Sequence, residues 1–432
     1  MNFKKLAVVS ALTLALALGF VIFGGSKTKA SVGGPTCNVP ADYATIQAAV
    51  NDAGCTTINV SPGTYAENVS IPRAVTLRGP NAGTSGAGVR GAEANVSSLF
   101  ITAGNVIVDG FSFFNAGSQV QILNVTTVLS GITVKNNIFS GYGSVGFPTN
   151  DAGNLLITRN LFRNPLPNTE AIQIKGPLSG ACNGTVVSNN VFVAATNNVG
   201  AEINFSCTGT NSTNVTVAGN TDTGLAGDGP SFTAFSGVTG GIVIQNNNVT
   251  GTLTAGSAIF FFGGVTGSVL ITDNVITHFG GNGIDVHFFL DGPNTGTFTF
   301  THNDLSQNFR SIRLRDGFAP GAVVTFTRNN LSGNTLHVGA QNDSTSLTAS
   351  GTCNWWGSPT GPSPSGTGDA VIGMITYSPW LVTANLDGAC IGGNVATNKD
   401  QCKNDGWKTR VRSDGSTFKN QGDCVSYTNN GK

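Results

Sequence analysis

Residues 280–316 read GGNGIDVHFFLDGPNTGTFTFTHNDLSQNFRSIRLRD. Within them, 283–288 (GIDVHF) alternate apolar and polar residues, the period of a strand with one buried face. A turn, Asp291-Gly292-Pro293-Asn294, follows. Residues 297–302 (TFTFTH) alternate again and lead into Asn303. Residues 304–307 are short enough for a third strand, and a tight turn passes through Asn308 and Phe309. Residues 311–315 (SIRLR) then repeat the GIDVHF frame. Three short strands in about 27 residues make one coil of a parallel β-helix, whose coils stack about 4.8 Å apart.

The same frame recurs along the chain. Asn137, Asn160, Asn190, Asn220, Asn247, Asn274, Asn303, Asn329 and Asn354 follow one another at intervals of 23 to 30 residues. Three residues before each of the first eight stands an apolar residue, from Val134 and Ile157 to Phe300 and Phe326. Two residues after most stands another, among them Phe139, Phe162, Phe192, Ile276 and Trp356. A repeat of this length made of strand-sized pieces is a β-solenoid. Asn at a sharp bend tolerates φ > 0, and stacked coils set each amide against the next, so an asparagine ladder is expected. The 26 Phe against 5 Tyr suit an apolar interior, where a hydroxyl would need a partner. One coil breaks the rule, with Asp222 two residues after Asn220. Either a charge turns inward there or the register shifts; the Gly-rich TGLAGDGP that follows favours a shift.

Composition agrees. The 432 residues hold 59 Gly, and only 10% of them are charged. The formal charge is zero, but residues 31–390 carry 11 basic against 18 acidic residues, and residues 391–432 carry 7 against 4. Neither part has the basic stripe that nucleic acid needs. Lys4 and Lys5 precede an apolar run over 6–23, and Thr28, Lys29 and Ala30 offer a cleavage site, so 1–30 read as a secretory signal. A membrane contact arises only if that segment stays uncleaved. Eight cysteines in an exported chain imply disulfides. Spacing alone leaves the connectivity open; pairing of nearest neighbours is expected, Cys37 with Cys55, Cys182 with Cys207, Cys353 with Cys390 and Cys402 with Cys424. Zinc is the alternative, but there is no CxxC pair.

A solenoid must cover its ends. Residues 42–50 (DYATIQAAV) form a short amphipathic helix with Ile46, Ala49 and Val50 on one face, which caps the first coil. The first strands follow at 57–60, 68–71 and 75–77. The expected organisation is a signal over 1–30, an N-terminal capping segment over 31–56, the β-helix of about 11 coils over 57–385, a linker over 386–396 and a small module over 397–432.

Three stretches carry a resemblance. ADYATIQAAVNDAG, INVSPGTYAENVSI and VTLRG within 41–79 resemble the entry segment of the pectin-lyase-like superfamily, and CNWWGSPTGPSP (353–364) resembles the end of the β-helix in its bacterial members. The resemblance implies a right-handed single-stranded parallel β-helix. It also implies the activities of that superfamily: lyases, hydrolases, esterases and epimerases acting on polysaccharides. Residues 397–432 are similar to a two-cysteine module at the ends of bacterial exported proteins. The superfamily's catalytic motifs are missing. Asn220-Thr221-Asp222 gives an NTD string with no DD or GHG after it, and there is no QDTL-like or DPHD element. Calcium-dependent members need acidic residues on adjacent coils, whereas Glu202 and Asp285 lie about three coils apart; calcium is thus unsupported and no cofactor is expected.

The outward positions of the GIDVHF sheet are where such a fold carries its chemistry. Alternation turns Ile172/Ile174, Ile203/Phe205, Ile259/Phe261, Ile284/Val286, Ile312/Leu314 and Leu336/Val338 inward. It turns Gln173/Lys175, Glu202/Asn204, Phe260/Phe262, Asp285/His287, Arg313/Arg315 and His337 outward. Asp285, His287, Arg313 and Arg315 form the candidate catalytic set. Phe260, Phe262, Lys175, Glu202 and Arg310 form the candidate substrate-binding set. In the catalytic reading an arginine grips a uronate carboxylate bidentately, a phenylalanine stacks on the sugar, and His287 abstracts a proton in a β-elimination. In the structural reading Asp285 and Arg313 are a cross-strand ion pair, worth at most about 1 kcal/mol. His278 and His302 fall at turns. The expectation is a monomeric, secreted or cell-surface β-helix that binds, and in the catalytic reading also processes, an extracellular polysaccharide or cell-surface glycan. The alternative is a non-catalytic, adhesin-like structural β-helix.

Overall fold

The computed structural model describes residues 34–430 apart from 125, 144, 168, 194–200, 208–211, 228–231, 288–290 and 414–415. The expected secretory signal lies outside the described residues. The chain is an all-β parallel solenoid of about 11 coils. Three stacks of strands run along it. One is a 14-stranded sheet that begins with Thr36–Val39, passes through Thr297–Thr301 and ends at Ile375–Thr376. The other two count as a single 19-stranded sheet, because Ala94–Ile101 pairs with both Ser112–Phe113 and Val120–Leu123. Pairing along every stack is parallel.

The ladder runs through all nine asparagines. From Asn160 to Asn354 each Oδ1 accepts from the backbone N–H and the side-chain amide of the asparagine one coil earlier, at 2.8 to 3.2 Å, and the Oδ1 of Asn137 accepts from the Phe111 N–H. Each Nδ2 also donates to the carbonyl of the preceding coil's apolar residue: Asn160 to Val134, Asn274 to Ile244, Asn354 to Phe326. All nine are buried. The left-handed backbone expected at these positions sits one residue earlier. Asn136, Arg159, Asn189, Gly219, Asn246, Asp273, His302, Arg328 and Cys353 have φ between 54° and 64°. The bend is made by the preceding residue, and the ladder residue uses the bend to point its amide inward.

Between the stacks lie aromatic columns. Phe139, Phe162 and Phe192 stack at 4.5 and 5.1 Å, and Phe205, Phe235 and Phe261 at 5.1 and 5.2 Å. Asp222 interrupts the first column. Its register is kept, with Phe192 on one side and Val249 on the other, and it is 1% exposed. The expected shift occurs only after Thr223, so a charge is turned inward. It belongs to a polar patch in the core: burial first, then the Glu202 and Asp222 carboxylates, push the Tyr142 phenol well above its ordinary range. Two further readings are corrected. The strand expected at 304–307 is only single bridges through Asp304, because the Asp304 side chain accepts from the Ser306 N–H in a local turn. Leu336 is exposed rather than inward; the coil after Ile312 has the same length as the one before it, so Ala340 and Asn342 take the inward places opposite Ile312 and Leu314.

The ends are closed as expected. The helix Ile46–Asn51 is capped by Thr45 and buries Ile46, Ala49 and Val50. The Glu67 carboxylate accepts from the Ile46 and Gln47 N–H groups, and Arg73 donates to the carbonyls of Val50, Asp52 and Cys55. The four disulfides are Cys37–Cys55, Cys182–Cys207, Cys353–Cys390 and Cys402–Cys424. The last closes the C-terminal module, whose small core adds Ala396 and Phe418.

The ladder generates a test. Asn274→Ala removes the acceptor of two donors on Asn247 and the donor to Ile244. Leaving buried groups unsatisfied costs about 1–3 kcal/mol each, so the expected loss is about 3 kcal/mol in urea unfolding. Thr297→Ala, an exposed change on the same solenoid, should stay within about 0.5 kcal/mol. Equal effects of the two would remove the ladder from its place in the stability of the fold.

Candidate ligand-binding groove

The outward row of the GIDVHF sheet is set by register. Gln173, Asn204, Ala234, Phe260, Asp285, Arg313 and Gln341 are successive Cα partners. Beside this row a groove of about 550 Å³ opens at the turns that lead into Ile259–Phe261, Asn282–Val286 and Arg310–Leu314. Phe260, Phe262 and Phe309 line it, together with Arg310, Arg313 and Arg315. Its wall is two turns packed backbone to backbone. A Cβ at Gly280 would stand 2.0 Å from the Leu253 carbonyl oxygen, and one at Gly281 would stand 2.6 Å from the backbone of Gly256. Glycine alone permits this contact.

A second, shorter ladder fixes the base of the groove. Asn308 accepts from the Phe279 N–H at 2.9 Å, Asn334 from the Asn308 N–H at 3.1 Å, and Asp369 from the Asn334 N–H at 2.7 Å. It holds the bend before Phe309 and Arg310. The sequence carries its signal, Asn-x4-Asn at 303/308 and again at 329/334.

The ion pairs differ from those the cross-strand register suggests. Arg313 is the Cα partner of Asp285, but the carboxylate binds Arg315, Nε at 2.9 Å and Nη2 at 2.7 Å. Ser257 and Asn282 also donate to Asp285, at 3.1 and 2.7 Å, and the carboxylate is fully buried although its position faces outward. Arg313 turns to the next coil, its Nε 2.8 Å from Asp343. Against the desolvation that raises it, hydrogen bonds from Gln341 and Arg313 hold the Asp343 carboxyl below its ordinary value. Asp343 was missed because 339–342 (GAQN) show no apolar alternation, which displaced the row onto His337. His337 is instead an exposed left-handed turn residue, 3.7 Å from Asp369.

Arg310 opens its strand. Its guanidinium carbon lies 4.8 Å over the Phe309 ring, its Nη1 reaches Asn282 at 3.4 Å, and its Nε is buried with no hydrogen-bond partner among the described residues. Burial, then repulsion from Arg313, lowers this guanidinium from its ordinary value. His287 stands next to Phe260, ring centroids 6.3 Å apart, and is not among the residues lining the groove. Burial, then the Arg315 charge, lowers its pKa against the opposing pull of Asp285.

Lys175 and Glu202 are not brought to this groove. Lys175 is exposed at the end of Glu170–Lys175, three coils from the Ile259–Phe261 strand. Glu202 is 1% exposed: the strand starts at Ile203, so the alternation does not extend to it. Near Lys175, the Glu170 carboxylate accepts from Gln173 at 2.6 Å and Asn204 at 2.8 Å. Among the described residues no group of three His, Cys, Asp or Glu side chains stands together as a metal site would require.

No protein-family model matches the chain. No curated protein matches it. Among solved structures it is similar to the Streptococcus pneumoniae surface protein and adhesin PfbA, with 14% identity over 77% of this chain and 92% of that one, at a TM-score of 0.39.

The lowered pKa of His287 has a sign that can be checked. In the unfolded chain a histidine titrates near 6.5, so between that value and the lower folded one the unfolded state binds more protons. Stability should therefore fall as pH drops through this window. An NMR titration should place the His287 midpoint below the ordinary histidine value, and His287→Gln should remove part of the acid dependence. A midpoint at or above the ordinary histidine value would contradict the assigned surroundings.

Proposed function

We propose that this chain is an extracellular or cell-surface β-helix that binds an acidic polysaccharide in the groove beside Phe260 and Arg310 without processing it. The observation that carries the reading is the concentration of charge. Arg310, Arg313 and Arg315 are three of the 11 basic residues between 31 and 390, and they share one groove with three phenylalanines. The guanidiniums attract an anion in a solenoid that is otherwise acidic, and the rings offer apolar faces to a sugar. Four disulfides suit an oxidising compartment outside the cytosol. The resemblance of 41–79 and 353–364 to the pectin-lyase-like superfamily supports a carbohydrate ligand. The protein acts as a monomer, without calcium or another cofactor.

Binding is preferred to chemistry because the carboxylates are committed. Asp285 is held by four donors from three side chains besides its own fold, and Asp343 by Arg313 and Gln341. A catalytic reading keeps one favourable observation: His287 is biased towards its neutral, basic form beside Phe260. It would serve a β-elimination on a uronate.

Calorimetry with acidic and neutral polysaccharides separates the readings. Acidic chains should bind, weaken as salt is raised, and be unaffected by a chelator. Arg310→Ala should weaken binding at least about tenfold, with Phe260→Ala also weakening it. An absorbance from unsaturated products that vanishes in His287→Ala would replace binding with lyase action. Absence of any binding would leave a structural solenoid.

A further inference from the structure

A guanidinium presents a side edge, made of Nε and one Nη, and an end made of its two Nη groups. In this groove no side edge is open to a ligand. That of Arg315 forms a fork on Asp285, at 2.9 and 2.7 Å. The Nε of Arg313 is on Asp343 at 2.8 Å. The Nε of Arg310 is buried, out of reach of a ligand. What the three side chains offer is therefore Nη groups, the one of Arg315 that Asp285 does not hold and those of Arg313 and Arg310, all from the single strand Arg310–Leu314 and the residue that follows it.

A carboxylate is planar and has two oxygens, so it matches one guanidinium edge at a time. A sulfate or phosphate monoester has three terminal oxygens pointing in three directions, and can accept from three arms together. Resting on the binding reading above, we infer that the groove takes a sugar carrying a tetrahedral oxyanion ester, a sulfate or a phosphate, in preference to a uronate carboxylate. Asp285 and Asp343 act as positioning residues. Asp285 holds Arg315 by Nε and Nη2 and Asp343 holds Arg313 by Nε, which leaves Nη1 of Arg315 and the Nη groups of Arg313 for the ligand. Phe260 and Phe262 supply the face for the ring that bears the ester.

The test uses one polymer with different charges. Dextran sulfate, phosphorylated dextran and carboxymethyl dextran, matched for charge per sugar, are compared with plain dextran by calorimetry at physiological salt. The full chain should bind the sulfate or the phosphate derivative at least about tenfold tighter than the carboxymethyl one, and the better of the two identifies the ester. Arg310→Lys keeps the charge, so it should retain binding while the preference collapses, with the thermal midpoint confirming that the variant is folded. Equal affinity for carboxymethyl and ester derivatives overturns this inference and leaves the acidic-polysaccharide reading intact. Failure of all three charged derivatives to bind overturns both.

Discussion

An inward-turned amide that bonds to the next coil is the constraint on which this molecule depends. In most folds a residue's neighbours are set by packing along the chain. Here, each ladder asparagine ties its own coil to the one before it through a backbone N–H, a side-chain amide and a carbonyl, as Asn274 does with Asn247 and Ile244. A slip of one residue would turn every apolar residue of a coil outward. It would also leave buried amides without partners, so the ladder penalises slips twice. That is why coils of 23 to 30 residues, with turns of very different length, still stack in register. Variation is pushed into the loops, and the strands stay aligned.

The groove is a by-product of this alignment. Rows of outward side chains exist because strands keep register, and the row from Phe260 through Asp285 to Arg313 is one of them. The second ladder through Asn308, Asn334 and Asp369 then sets the bend from which Phe309 and Arg310 project. The chain accepts a fully buried carboxylate, Asp285, in this place. Such a charge is tolerable only with complete hydrogen bonding, and the Arg315 fork with Ser257 and Asn282 supplies it. Removing Asp285 would strand Arg315, so the pair locks the geometry of the groove.

Sequence reading recovered what periodicity encodes. The ladder, the apolar columns and the capping helix follow from spacing and alternation, while the disulfides join nearest neighbours as expected although spacing left their connectivity open. It failed where side-chain direction, rather than position, decides. Left-handed backbone was expected at the ladder asparagines because asparagine tolerates it, yet Arg159, Asp273, His302, Arg328 and Cys353 carry it one position earlier. Asp285 was expected beside Arg313 because they are register partners, yet the long arginine side chains reach diagonally. Asp222 was expected to escape the core through a register shift, but the strand pairing on both sides holds it in place. Lys175 and Glu202 fell away for different reasons, one by distance along the axis and one by burial.

The same contacts that define the groove also limit its chemistry. A general base needs a free lone pair and the reach to a substrate proton. Asp285 is fully buried and already accepts four hydrogen bonds, which takes it out of reach of a substrate proton, and Asp343 is occupied from two sides. Both carboxylates contribute by orienting arginines. A rigid set of guanidinium ends beside aromatic faces loses little conformational freedom on meeting an anion, which favours recognition. The sequence suggests a catalytic constellation because it lists carboxylate, imidazole and cations on two neighbouring coils. The structure divides that list: the cations face the groove, the carboxylates stand behind them, and the imidazole lies beyond Phe260. In the proposed reading the acids position the cations, and the cations hold the negative charge of the ligand.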